Sequence, residues 1–181
     1  VNSPETEIFH KGQTLYRLKE ARELLAKSKG AGLVISEGYL DVAAFERAGV
    51  ASVAPLGTAL TEDQLKLLWR MAPEPVLCFD GDAAGRRAAF RAVETALPHI
   101  QPGNSVQFAF LPDGLDPDDF VRRHGTEAFQ TVLASKTRPL FDVLIEREER
   151  PDQPGITPEQ RAALATRLNT LIARIGDRSV R

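Results

Sequence analysis

Hydrophobic and polar positions change period repeatedly along this chain, and each change marks an element. From Gln13 to Lys29 the apolar residues Leu15, Leu18, Ala21, Leu24 and Leu25 follow helical spacing, closed by Gly30 and Gly32. Leu33-Val34-Ile35 is a short unbroken apolar run before Gly38, the pattern of a strand covered on both faces. Tyr39–Ala48 reads as a helix ended by Gly49, and Val50–Ala54 as a second strand leading into an irregular Pro55-Leu56-Gly57-Thr58 loop. Thr61 and Gln64 have capping-box spacing and predict a helix through Ala72. Val76-Leu77-Cys78-Phe79 is a third strand, Ala83–Leu97 a helix stopped by Pro98, and the alternation of Val106, Phe108 and Phe110 a fourth strand.

Asp116-Pro117 places an acceptor at an N-cap and proline at the first helical position, so a short helix is expected to Arg123, with Gly125 separating it from another near Thr126–Ala134. No strand is expected beyond that point. Residues 139–149 and 158–175 read as two helices across a Pro151–Pro154 linker, the second opened by Thr157-Pro158-Glu159-Gln160. Residues 1–12 have no period and read as extended chain turning at Ser3-Pro4. Strands alternating with helices over residues 31–124 predict an α/β unit with a parallel sheet flanked by helices, followed by a small helical subdomain.

Composition leaves that reading intact and removes others. In 181 residues, 43% hydrophobic and 27% charged with 13 Gly and 12 Pro, collagen-like, disordered and disulfide-scaffold classes drop out. Cys78 is the single cysteine, which excludes an internal disulfide or a cysteine-based zinc site and leans toward an intracellular protein. No apolar run approaches the ~20 residues of a membrane span, and Val1-Asn2-Ser3-Pro4 lacks the order of a signal peptide, so a soluble, cytoplasmic protein is expected. A net charge of −2 argues weakly against a nucleic-acid partner until it is divided: residues 1–30 carry +2, residues 31–120 carry −7 and residues 121–181 carry +3.

The acids of that middle segment fall at predicted strand ends. Glu37 follows the first strand and Asp80-Gly81-Asp82 the third, while Asp113, Asp116, Asp118 and Asp119 follow the fourth and Asp41 lies one turn beyond Glu37. Carboxyl ends of parallel strands face one side, where ligands bind. Carboxylates crowded there without counter-charges need a cation, and hard oxygen donors suit Mg²⁺ or Mn²⁺ rather than zinc. Each feature also has a plain reading, Asp-Gly-Asp as a turn and Asp116-Pro117 as a cap. Gly38, Gly57 and Gly81, beside the acids, would let a phosphate or metal approach backbone. Trp69 and Cys78 read as core residues, and Arg86, Arg87 and Arg91 either face the crevice or form a solvated helix face.

The runs Asn2-Ser3-Pro4-Glu5-Thr6, Phe9-His10-Lys11-Gly12, Glu37-Gly38-Tyr39-Leu40-Asp41, Leu56-Gly57-Thr58, Phe79-Asp80-Gly81-Asp82 and Leu111-Pro112-Asp113-Gly114-Leu115-Asp116-Pro117-Asp118 resemble bacterial DNA primases of the DnaG type, in order and over essentially the whole chain. A lone Glu with a later Asp-x-Asp would indicate only the wider Toprim superfamily. The resemblance implies the Toprim, Rossmann-like part of an RNA polymerase core. Residues 1–30 would end the preceding part of that core, 31–135 would be the Toprim metal-binding domain and 136–181 a truncated helical subdomain. It implies Glu37, Asp80 and Asp82 as catalytic metal ligands, Asp41, Asp116 and Asp118 as completing the acidic site, and Lys11, His10 and Asn2 as part of a nucleotide- and template-binding surface.

It further implies DNA-templated synthesis of RNA primers at the replication fork, with Mg²⁺ (or Mn²⁺) and no zinc in this segment. The implied partners are single-stranded DNA template, NTPs and RNA primer, with the replicative helicase and single-strand-binding protein in the intact enzyme, helicase through a C-terminal domain outside this chain. The chain alone, an excised piece on this reading, is expected to be inactive. The alternative is a Toprim-type nuclease or another metal-dependent phosphoryl-transfer protein, which would use the same acids. In either case Glu37 could ligate metal or take the proton of the attacking hydroxyl.

Overall fold

The structure, a computed structural model, describes residues 4–7, 9–27, 32–57, 59–149 and 157–181. Asn2 and Thr58, both part of the motifs above, and the Pro151–Pro154 linker lie outside the described residues.

Six strands form one sheet in the order β1-β3-β2-β4-β5-β6. Its centre is built from β2 (Leu33–Ile35), β3 (Ala51–Pro55), β4 (Val76–Phe79) and β5 (Gln107–Phe110), all parallel, so the four strands read from the sequence are present as expected. The edges differ: β1 (Leu15–Tyr16) runs antiparallel to β3, and β6 (Arg138–Pro139) antiparallel to β5. The sheet is therefore mixed rather than wholly parallel.

Both edge strands correct the sequence reading. Helical spacing from Gln13 predicts one helix, but Lys11–Gln13 is a 3₁₀ turn, Leu15–Tyr16 is extended and α1 begins only at Leu18 (Leu18–Lys27). The cause is tertiary. The amide of Gln64, fully buried, donates to the carbonyls of Lys11 and Thr14, each at 2.9 Å, and the Thr61 hydroxyl donates to the Gly12 carbonyl at 2.5 Å. These bonds hold residues 11–14 against the start of α3 (Glu62–Trp69), and Arg17, at φ 62°, turns the chain from strand into helix. At the other edge β6 is two residues long and contains a proline, which an edge strand tolerates and a period cannot reveal.

Alternation along the central strands divides the core. Ile35, Val53, Leu77, Phe79 and Phe108 face one side, where α3, α4 (Ala83–Ala96) and α6 (Leu140–Glu148) supply Leu65, Leu68, Ala89, Val93, Val143 and Leu144. Val34, Cys78 and Ala109 face the other, covered by Phe45 of α2 (Tyr39–Arg47) and by Phe129 and Val132 of α5 (Pro117–Ser135), with the Phe45 and Phe129 rings stacked at 4.5 Å. Gly125, at φ 79°, breaks α5 into the two pieces expected. Beyond it α6 and α7 (Pro158–Ile172) form the helical tail, and Ile175 packs into the α3–α4 side of the core. Trp69 is partly buried there and its indole N–H donates to the Ser105 carbonyl at 2.8 Å. Among the described residues no helix is long and apolar enough to cross a membrane.

Candidate metal centre

The strand order places a topological switch at the middle of the sheet. From β2 the chain crosses by α2 to β3 on one side, then returns by α3 to β4 on the other, so the crevice beyond the carboxyl ends of β2 and β4 is where such a sheet binds ligands. Ile35 pairs with Leu77, which brings Glu37, just past β2, level with the end of β4, where Asp80 follows Phe79. Leu111, continuing β5, donates its N–H to the Phe79 carbonyl at 3.1 Å, so the segment carrying Asp116 leaves from the same rim.

Local hydrogen bonds orient three of these acids. Asp41, in the first turn of α2, accepts the Gly38 N–H at 3.0 Å. Asp82 caps α4, its Oδ1 accepting the Gly85 N–H at 2.7 Å, and Asp116 caps α5, its Oδ1 accepting the Asp119 N–H at 2.7 Å. The plain reading of Asp116 as a cap is therefore correct, Asp82 is a cap where the sequence suggested a turn, and each cap leaves its second carboxylate oxygen available. Asp118 is bound by Arg47 of α2 at 2.6 Å, and Asp119 pairs with Arg122.

Two of the three glycines beside the acids, Gly38 and Gly81, are set by close packing, while Gly57 has open space around it. A Cβ on Gly81 would lie 1.9 Å from the Leu111 carbonyl oxygen, and one on Gly85 would lie 2.2 Å from that of Asp80. Gly81 is thus required by the packing of the β4 exit against the β5 exit, not by the approach of a phosphate. A Cβ on Gly38 would likewise meet Asp41 Oδ2 at 2.8 Å.

The acids along the rim raise one another. Asp80 is pushed up to about 6, first by burial and then by Glu37, Asp116 and Asp82. Asp41 is also pushed up to about 6 by burial, against the pull of the Gly38 N–H, with Asp80, Asp116 and Asp118 adding to the rise. Glu37 is raised by burial and by Asp82, and Arg91 of α4 opposes this. Among the described residues no cation acts on Asp41 or Asp80, the condition in which a divalent ion is most favoured. As they stand, no three His, Cys, Asp or Glu side chains among the described residues are gathered closely enough to hold an ion. The donor set of carboxylate oxygens, short of positive charge, fits a hard divalent cation. Cys78 lies beneath, buried, its thiol raised by desolvation and then by Asp41 and Asp80, which suits an inert core residue.

Beside Glu37 a cleft of about 300 Å³ opens on the α3–α4 side of the sheet, floored by Ile35, Leu77 and Phe79 and walled by Leu60, Ala88 and Arg91. Because β1 is antiparallel, the chain before Leu15 also lies at the carboxyl-end rim, which puts the Lys11 segment there. Lys11 is half-buried and donates its backbone N–H to Glu5 at 3.3 Å, while His10 is exposed, with Nδ1 3.9 Å from Glu5. Neither is among the charges that shift Glu37, Asp41 or Asp80. Sequence reasoning missed Arg47 outright and left Arg91 open between crevice and solvent, since both meet their carboxylates across long stretches of chain.

The Toprim domain family matches residues 32–109, the segment that holds Glu37, Asp80 and Asp82. A DNA primase of Pseudomonas aeruginosa is 43% identical over 183 residues, covering 100% of this chain and 27% of that protein. The chain belongs to the DnaG-type DNA primase family. Its fold agrees with solved primases. A crystal structure of a DNA primase domain from Pseudomonas aeruginosa superposes with a TM-score of 0.89 at 43% identity over 100% of this chain and 56% of that one. A DnaG primase catalytic domain bound to ssDNA gives 0.88 at 42% identity over 99% and 56%. The chain thus spans about a quarter of the curated relative and just over half of the solved primase domains.

Proposed function

We propose that this chain is the metal-binding part of a primase polymerase core, in which residues 31–135 form the metal-binding unit and residues 136–181 an appended helical subdomain. The whole enzyme transfers a nucleotidyl group from an NTP to the 3′-hydroxyl of a growing RNA primer on a single-stranded DNA template, releasing pyrophosphate. The observation that carries this reading is the placement of Glu37, Asp41, Asp80, Asp82, Asp116 and Asp118 along the switch-point rim, with Asp41 and Asp80 both pushed up to about 6 by burial first and by neighbouring acids after it. Glu37, Asp80 and Asp82 would hold Mg²⁺ or Mn²⁺, with Asp41, Asp116 and Asp118 completing the acidic wall. Bound there, such ions polarise phosphoryl oxygens and activate an attacking hydroxyl.

The protein's own contribution is to fix those oxygens. The Gly38, Gly85 and Asp119 amides hold Asp41, Asp82 and Asp116 before any ligand arrives. Glu37 stands at the mouth of the cleft, where it ligates metal or accepts the proton of the attacking 3′-hydroxyl. Lys11 and His10, on the segment at the same rim, together with Asn2, would meet nucleotide or template phosphates, which dominate nucleic-acid affinity. That a related DnaG catalytic domain was solved bound to single-stranded DNA supports a DNA template for the whole enzyme. Helicase and single-strand-binding protein would meet the intact enzyme through other segments.

The reading is tested by calorimetric titration of Mn²⁺ into the wild-type chain and Asp80→Ala/Asp82→Ala. Binding by the first and its loss in the second is expected, and equal binding by both sinks the assignment. The chain alone is expected to make little or no primer on single-stranded DNA. Metal-dependent cutting of a plasmid by the same preparation would instead favour a nuclease.

A further inference from the structure

Helix α4 leaves the Asp82 cap carrying three arginines, and their surroundings differ. Arg86 is bound by Glu146 of α6 and its guanidinium lies over the Phe110 ring, 5.4 Å from the centroid. The guanidinium groups of Arg87 and Arg91 make no hydrogen bond or ion pair among the described residues. Of these two, Arg91 lines the cleft that Glu37 also lines, and among the described residues no other cation acts on Glu37. The rest of the lining near it is apolar, from Ile35, Leu77, Phe79, Ala88 and Ala92. A guanidinium set against such a wall, with its donors unspent and a carboxylate across the gap, is placed to bind an anion bidentately.

We propose that Arg91 serves two partners in turn, acting as the counter-charge of Glu37 until a divalent ion binds there and as a binding residue for the phosphate chain of the substrate once the ion has taken that carboxylate. The inference rests on the metal reading above and extends it to a residue that no motif marks. A cation on Glu37 offsets the through-space attraction between that carboxylate and Arg91, which make no ion pair, and leaves the guanidinium free for whatever anion the ion brings. The ligand class is a di- or triphosphate. Arg91 therefore competes with the metal while helping the anion, and these opposite effects separate it from a residue that merely supports the fold.

The test uses the 181-residue chain as wild type, Arg91→Ala, Arg91→Lys and Arg87→Ala, with folding of each checked by circular dichroism. Mn²⁺ is titrated into each, and inorganic tripolyphosphate is then titrated in excess Mg²⁺. Removing one positive charge beside a divalent ion should tighten Mn²⁺ binding by Arg91→Ala about five-fold. The same change should weaken tripolyphosphate about ten-fold, through loss of charge-assisted hydrogen bonds. Arg91→Lys, which keeps the charge without the fork, should match wild type for Mn²⁺ and bind tripolyphosphate about three-fold more weakly. Arg87→Ala should alter neither. Weaker Mn²⁺ binding or unchanged tripolyphosphate binding by Arg91→Ala overturns the proposal, as does the same pattern from Arg87→Ala. A wild-type chain that binds no Mn²⁺ overturns the metal reading with it. Mn²⁺ binding that Asp80→Ala/Asp82→Ala abolishes and Arg91→Ala leaves unchanged overturns the role of Arg91 alone.

Discussion

Replacing Asp80 by Asn should stabilise the metal-free chain at neutral pH and abolish its stabilisation by Mn²⁺. The Asp80 carboxyl is held at about 6 against an ordinary 3.8, by burial and by Glu37, Asp116 and Asp82. Among the described residues it accepts no hydrogen bond that Asn would lose. Taken at face value, a rise of that size opposes folding by about 3 kcal/mol above pH 6, and water at the half-exposed rim reduces this to about 1 kcal/mol. The sign follows from proton counts. Between about pH 4 and 6 the folded chain holds a proton that the unfolded chain has released, so stability falls as pH rises through that window and the full penalty is present at pH 7.

Asn cannot ionise, so Asp80→Asn should melt about 2–4 °C above wild type at pH 7 in chelator, the shift that ~1 kcal/mol gives a domain of this size. At pH 4 the difference should vanish. With Mn²⁺ at about 100 times its dissociation constant the wild type should gain about 2.7 kcal/mol and the variant almost none, which reverses their order. Thermal melts at pH 4 and 7, in chelator and in Mn²⁺, give all four values. A variant less stable than wild type in chelator at pH 7 would falsify the claim that this carboxylate is uncompensated.

Three further changes probe the scaffold. Gly81→Ala drives a Cβ to 1.9 Å from a backbone oxygen that cannot rotate away, so urea unfolding should show a loss of more than about 2 kcal/mol; a change within 0.5 kcal/mol, by the same rule of thumb for surface sites (~0.5), would mean that the β4 and β5 exits are not packed as described. Gln64→Ala strips the Lys11 and Thr14 carbonyls of their buried donor, with an expected cost of about 2 kcal/mol and faster amide exchange over residues 9–16; unchanged exchange there would show that the segment is held by something else. Phe129→Ala removes the ring stacked on Phe45 in the α2–α5 layer and should cost about 3–5 kcal/mol in the same urea measurement, a loss below ~1 kcal/mol contradicting its burial.

Local and short-range signals were legible in the sequence. Leu33-Val34-Ile35 and Val76–Phe79 stand out because each is apolar on both faces and bounded by turn residues, and the parallel order carries Glu37 and Asp80 to one rim without further information. The capping boxes at Thr61 and Thr157 and the Asp116 cap were legible because their partners lie three residues away. What escaped is what depends on distant chain. The strand at Leu15–Tyr16 sits inside a helical period and is decided by a buried glutamine about 50 residues on. Arg47 meets Asp118 across 71 residues, and β6 is too short to have a period. The role of Gly81 lies in the Leu111 carbonyl, a backbone contact that no pattern of side chains encodes.

The choice between a structural role and a metal ligand, posed by the sequence for Asp82 as a turn residue and for Asp116 as a cap, dissolves in the structure. A carboxylate has two oxygens, and in both residues Oδ1 is spent on an amide of the helix that follows. That bond secures the helix start and also fixes the side-chain torsions, so the second oxygen is held in place before any ion arrives. Asp41 uses the same device in reverse, accepting the amide of the residue ahead of its own helix. Among the described residues the Asp80 carboxylate has no such bond, and it is raised as far as Asp41, by burial first and then by Glu37, Asp116 and Asp82, so it has no local donor to offset that cost. The rim therefore combines carboxylates positioned by caps with one that only a cation would satisfy. An Asp82→Asn change tests the division: it should keep the α4 cap, and so the metal-free stability, within about 0.5 kcal/mol, because Asn caps as well as Asp. It should still weaken Mn²⁺ binding about ten-fold or more by removing a charged donor. If Asp82→Asn instead lost stability and kept its metal affinity, the cap would be the whole role of the residue.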